Sequence, residues 1–172
     1  MTGPHVIPFL PGYIPPDVDM TQINADVAAD GVAAPPAAAG DVPALREVVE
    51  QAGQHGIDLK IVVIDHDPPI DTPLRDIATE VGHAHPGSTV LVLSPSESGT
   101  YSPTVDRVTL EAGQDVAEGR GPVQGAQNFL SELTTEHFPW TTFTILLVIG
   151  VVAAVIATRL LQVRSKRAFS RG

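Results

Sequence analysis

The chain contains no cysteine, which excludes disulfide staples, thiolate-bound zinc and cysteine nucleophiles. Aromatic residues are few, with one Trp, two Tyr and five Phe, so any core must be built from aliphatic side chains. Positive charge is scarce as well. Ten Lys and Arg stand against 20 Asp and Glu, a formal net charge of −10, and an acidic surface repels nucleic acid phosphates. No Gly-x-Ser-x-Gly elbow, Walker-type phosphate loop or Gly-x-Gly-x-x-Gly fingerprint occurs, which removes the motif evidence for a serine hydrolase or a nucleotide site. The first ten residues lack a basic stretch and an apolar run, so no signal peptide is expected.

The longest absence is of charge itself. No acidic or basic residue occurs between Glu136 and Arg159. About 20 apolar residues at 1.5 Å per residue cross the roughly 30 Å hydrocarbon core of a bilayer, and this stretch shows no polar stripe of the kind a surface helix carries. It predicts one transmembrane helix over 138–161. Phe138, Pro139 and Trp140 stand where an aromatic belt and a helix start are expected. Within it Gly150 and Ala154, and Ala153 and Ala157, have the small-x-x-x-small spacing that lets helix backbones approach. A second helix is therefore an expected packing partner, beside the lipid bilayer.

Charge is divided unevenly about that stretch. Every Asp and Glu precedes it, while Arg159, Arg164, Lys166, Arg167 and Arg171 follow it with no acid among them. The positive-inside rule then places a basic tail, 162–172, in the cytoplasm and the acidic part outside a plasma membrane. A tail anchor with the acidic domain facing the cytoplasm is the alternative, since no signal peptide is visible. The basic tail suits the anionic headgroups of an inner leaflet.

Residues 1–41 read as a Pro- and Ala-rich arm, with a short helix at 20–30 capped by Thr21 and ended by Gly31. Residues 42–134 read as one small acidic α/β domain. Ala44, Leu45, Val48, Val49 and Ala52 repeat at helical spacing. The continuous apolar run at 57–64 predicts a strand buried on both faces. Pro73, Leu74, Ile77, Ala78 and Val81 predict a second helix, and 88–94 a second buried strand. The α-β-α-β order implies two adjacent parallel strands joined by a right-handed crossover. Beyond it, 96–102 reads as a polar turn, 104–110 as an edge strand, 111–117 as a short helix, and 122–133 as a helix.

Chemistry is expected at the carboxyl ends of the strands, where open α/β sheets gather their ligands. Asp65, Asp67 and Asp71 form a candidate divalent-cation site after the first strand, although Asp-Pro turns are ordinary in loops and the glycine and final Glu of a calcium loop are missing. Ser94, Ser96, Ser98 and Tyr101 form a candidate ligand loop after the second strand, close to Asp65 in the expected fold. His83 and His85 fall at the opposite edge, and two imidazoles do not make a metal site. No resident cofactor is expected beyond such a cation.

The run Ala-Asp-Val-Ala-Ala-Asp-Gly-Val at 25–32, Leu-Arg-Asp-Ile-Ala-Thr-Glu-Val at 74–81, Thr-Val-Leu-Val-Leu-Ser-Pro at 89–95, Leu-Glu-Ala-Gly-Gln-Asp at 110–115 and Phe-Pro-Trp-Thr at 138–141 resemble a family of actinobacterial single-pass membrane proteins of unknown function. That resemblance covers most of the chain and implies no activity. More loosely, strand, helix, strand, polar turn, edge strand and C-terminal anchor look like the TPM domain, which implies a small TPM-like α-β-α-β fold. TPM proteins are anchored at the cell surface and linked to phosphatase activity and to upkeep of membrane complexes. The Asn-Asn-Gly-Val turn and glycine pair of that family have no clear match here, so no functional residue carries over. The expectation is a membrane-anchored, non-enzymatic accessory protein whose ectodomain engages a larger membrane or envelope complex. The alternative is a TPM-like metal-dependent phosphatase or metal-binding domain.

Overall fold

Two apolar runs are fully covered, and the rest of the N-terminal unit is arranged around them. β2 (Leu59–Val63) and β3 (Thr89–Leu93) pair in parallel, with Ile61 opposite Leu91 and Val63 opposite Leu93. A computed structural model describes residues 12–70, 72–135 and 140–169 of the chain, with side chains for 143–159 in the last stretch. The chain divides into two units, Met1–Thr135 and Glu136–Gly172.

In the first unit, side-chain alternation along the strands splits the apolar residues into two cores. Leu59, Ile61, Val63, Leu91 and Leu93 face α2 (Val42–Gln54), α4 (Arg107–Ala117) and α5 (Pro122–Thr134), and pack with Leu45, Val48, Leu110 and Phe129. Val62, Val90 and Val92 face α1 (Met20–Asp30) and α3 (Thr72–Ala84), and pack with Val27, Leu74, Ile77 and Val81. Helices therefore cover both sheet faces, as a parallel pair with continuous apolar strands requires.

The sheet has four strands in the order β1-β2-β3-β4. β1 (Val32–Ala33) lies parallel to β2, and β4 (Ser98–Tyr101) runs antiparallel to β3. The strands thus advance in one direction while α2 and α3 lie on opposite faces. Their two crossovers are of opposite hand, so one departs from the usual right-handed rule.

Several local expectations change. The stretch expected as an arm supplies α1 and β1, because Val27, Val32 and Ala33 are buried and Gly31 turns the chain in the left-handed region (φ 83°) to deliver them. A Cβ at Gly31 would lie 2.8 Å from Val49 Cγ1. Asp19, not Thr21, caps α1, accepting from the backbone N–H of Thr21 (2.9 Å) and Gln22 (3.1 Å). The edge strand is 98–101 rather than 104–110. Asp106 caps a helix through the latter stretch by accepting from Thr109 N at 3.1 Å, and Leu110, Gly113 and Ala117 then form its buried face.

The second unit holds α6 (Trp140–Phe169). A transmembrane helix over 138–161 is not supported. Among the described residues no helix is long and apolar enough to cross a membrane. The TPM-like single-pass architecture expected from the sequence is corrected accordingly: β1 joins the expected parallel pair and edge strand in a four-stranded sheet, helices cover both its faces, and no described helix is a span. Ten large apolar side chains of α6, from Phe143 to Ile156, are nonetheless exposed.

Candidate functional site

The carboxyl ends of β1, β2 and β3 deliver the segments starting at Ala34, Ile64 and Ser94 to one edge of the sheet. Beside β1 and β2 this edge opens into a cleft of about 520 Å³, lined by Asp17, Asp19, Gln22 and Asp26 from in and before α1, and by Ile64, Asp65 and His66 after β2. Its floor is apolar, with Ile23, Ala33 and Pro35.

Four carboxylates line the cleft: Asp17, Asp19, Asp26 and Asp65. His66 stands between two of them. Its Nδ1 lies 2.7 Å from Asp65 Oδ1 and its Nε2 lies 3.1 Å from Asp17 Oδ2. The bond to Asp65 is the largest cause that raises the His66 pKa above the ordinary imidazole value; desolvation opposes it, and the charges of Asp17, Asp65 and Asp67 add to the rise. Only the protonated ring can donate to both acids. Asp19 is occupied as the α1 cap, and Asp26 accepts from Gln22 Nε2 at 2.7 Å.

Asp67 faces the neighbouring loop. Its Oδ1 accepts from Ser94 Oγ (2.6 Å) and Ser96 N (2.9 Å), and its Oδ2 accepts from Ser96 Oγ (2.7 Å). These bonds hold its pKa below the usual carboxylate value, with the Ser94 hydroxyl the largest cause. The fold thus brings Asp67, Ser94 and Ser96 together as a clasp between the loops after β2 and β3. Both Asp67 oxygens are engaged by hydroxyl and amide donors, and Ser94 Oγ donates to a carboxylate rather than to an imidazole.

The remaining candidates fall elsewhere. Asp71 lies outside the described residues. Ser98 is buried in β4, where its Oγ donates to Glu118 Oε1 (3.3 Å) of the α4 C-cap. Tyr101, three residues further along that strand, is paired with Val90 and stacks edge-on against His83 with centroids 5.6 Å apart. It therefore sits at the opposite sheet edge from Ser94. Gly150, Ala153, Ala154 and Ala157 all lie on α6. Among the described residues no three His, Cys, Asp or Glu side chains are grouped to hold a metal ion. Asp17 and Asp19 were not singled out in the sequence. The available signal was Asp-x-Asp before a helical stretch, which marks a cap but not the acid that reaches across to His66.

A family model described as membrane protein Rv1476 matches residues 13–172. The chain belongs to the membrane protein Rv1476 family. A relative in Mycobacterium tuberculosis (strain ATCC 25618 / H37Rv), named membrane protein Rv1476, is 59% identical over 170 residues, covering 97% of this chain and 90% of the relative. The recognised actinobacterial family of unknown function is thereby shown. The solution structure of the N-terminal domain of the cg2496 protein from Corynebacterium glutamicum aligns with a TM-score of 0.49 and 13% identity, covering 72% of this chain and 86% of that one. The Rv1476 name carries membrane residence and states neither a partner nor a side of the membrane.

Proposed function

We propose that this member of the Rv1476 family is a non-enzymatic interaction protein attached to the plasma membrane through α6, with its acidic α/β domain engaging a larger membrane or envelope complex. The carrying observation is the exposure of ten large apolar side chains within 143–156, from 47% at Phe143 to 63% at Leu146. A contiguous apolar surface of that kind is costly in water and marks a membrane or protein contact. The family name favours lipid. The cleft beside β1, with its apolar floor and acidic rim, offers the domain a contact surface for a partner with basic and apolar side chains.

Sedimentation of membranes containing the full chain tests the attachment. The wild-type chain is expected in the membrane pellet, and Ile149→Arg with Val152→Arg in the supernatant. Recovery of the wild-type chain in the supernatant would sink the reading. A photo-crosslinker at Gln22 in the cleft is expected to give a discrete adduct of higher mass in membranes, and loss of that adduct in Asp17→Lys.

A further inference from the structure

The helical backbone of α6 does not stop where its apolar run stops. It continues unbroken to Phe169, and within 159–167 the sequence places Arg159, Arg164, Lys166 and Arg167 on it, with no acid from there to the chain's end. Nine helical residues rise about 12 Å, so four cations, with Leu160, Leu161 and Val163 among them in the sequence, share the helical turns that follow the exposed apolar residues of 143–156. Every carboxylate side chain in the protein precedes α6, and so none lies on the helix to neutralise this segment.

We infer that the C-terminal third of α6 is a headgroup-binding segment that makes membrane attachment selective for anionic phospholipid. The inference rests on the attachment through α6 proposed above and adds the lipid class. Apolar burial is blind to headgroup charge, because acyl chains are alike in neutral and anionic lipid. Selectivity must come from the cations. Each Lys or Arg near a negatively charged leaflet is attracted by its surface potential, an attraction that fades within a Debye length and is therefore weakened by salt. Long basic side chains can also reach headgroups while their methylene stems stay in the apolar layer. The α/β unit, Met1–Thr135, which holds 19 of the 20 acids against five basic residues, cannot supply this preference, since its field opposes that of an anionic surface.

The test delivers the full chain from detergent to phosphatidylcholine vesicles, or to vesicles with 30% phosphatidylglycerol, and measures partition by flotation. Partition at least tenfold higher on the anionic vesicles, falling towards the neutral value in 0.5 M NaCl, is expected. Arg159→Gln, Arg164→Gln, Lys166→Gln and Arg167→Gln combined should reduce the ratio below twofold while leaving flotation on neutral vesicles intact. Replacing the three arginines by lysine, which keeps the charge, should keep the ratio. Equal partition of the wild-type chain on both vesicles overturns the lipid selectivity and leaves the attachment standing. Absence of flotation on either vesicle overturns the attachment itself.

Discussion

The ring of Tyr101 lies on the Cα of Gly82. A Cβ at position 82 would fall 2.1 Å from Tyr101 Cδ1 and 2.3 Å from Cε1, well inside van der Waals contact. β4 docks on α3 through this close approach and through a second one at Gly99, where a Cβ would meet the Leu74 carbonyl carbon at 2.4 Å and Arg75 N at 2.6 Å. The two glycines differ in what they touch. At Gly82 the obstacle is a side chain that can swing. At Gly99 it is helix backbone that cannot.

Gly99→Ala is therefore expected to destabilise the domain by about 3 kcal/mol, at the upper end of overpacking costs. Gly82→Ala should cost about 1 kcal/mol, because the gain in helix propensity offsets part of the clash. In Tyr101→Ala the Gly82→Ala cost should vanish. Denaturant unfolding of the single and double variants checks the order and the coupling.

Phe129 is fully buried between α4 and α5, and a Cβ at Gly113 would sit 2.8 Å from its Cδ2. Phe129→Ala is expected to cost about 3–5 kcal/mol through lost burial and a cavity. Phe129→Leu should cost far less. Thermal or denaturant unfolding of both variants distinguishes packing from a merely local effect.

The Asp67 clasp has an acid signature. Its pKa in the folded chain is depressed by Ser94 and Ser96, so its contribution is fully present above the unfolded carboxyl value near 4 and is lost as pH falls through the lower folded value. Asp67→Asn should be less stable than wild type at pH 7, with the gap closing below about pH 4. Ser94→Ala should raise the Asp67 midpoint. Stability measured from pH 7 to 2.5 gives the first, and carboxyl NMR titration the second.

His66 titrates in the opposite sense. Its folded pKa is raised, so the links to Asp65 and Asp17 are complete below about 6.5 and are lost as pH rises through the higher folded value. Its side chain is about half exposed, which makes the effect on stability small. The NMR midpoint of the imidazole should lie above 6.5, and Asp65→Asn should lower it more than Asp17→Asn does. A midpoint unmoved by either change would remove the bridging arrangement.

The central strands, α2, α3 and α5 were legible because each carries its own apolar period. α2 spans Val42–Gln54 and β2 Leu59–Val63, close to the expected bounds. β4 was hidden because Ser-Gly-Thr-Tyr has the composition of a turn, and it becomes a strand only through the ladder to β3 and the room that Gly99 leaves against α3. β1 was hidden by its length of two residues, too short for any alternation to register. The edge where candidate residues meet was foreseen for Asp67, Ser94 and Ser96. Tyr101 was misplaced because a polar turn would keep it near Ser94, whereas a strand carries it about 3.3 Å per residue towards the other edge.

By itself, the sequence determined the charge division, the parallel β-α-β nucleus and the apolar character of residues 140–158, since composition and periodicity act over a few neighbouring residues. Tertiary structure alone decided that residues before 41 enter the core, that α2 and α3 cover opposite faces, and that Asp17 meets His66. Those are contacts between segments whose local patterns do not refer to one another. Only the closing of the sheet and the positions of Gly31 and Gly99 bring them together.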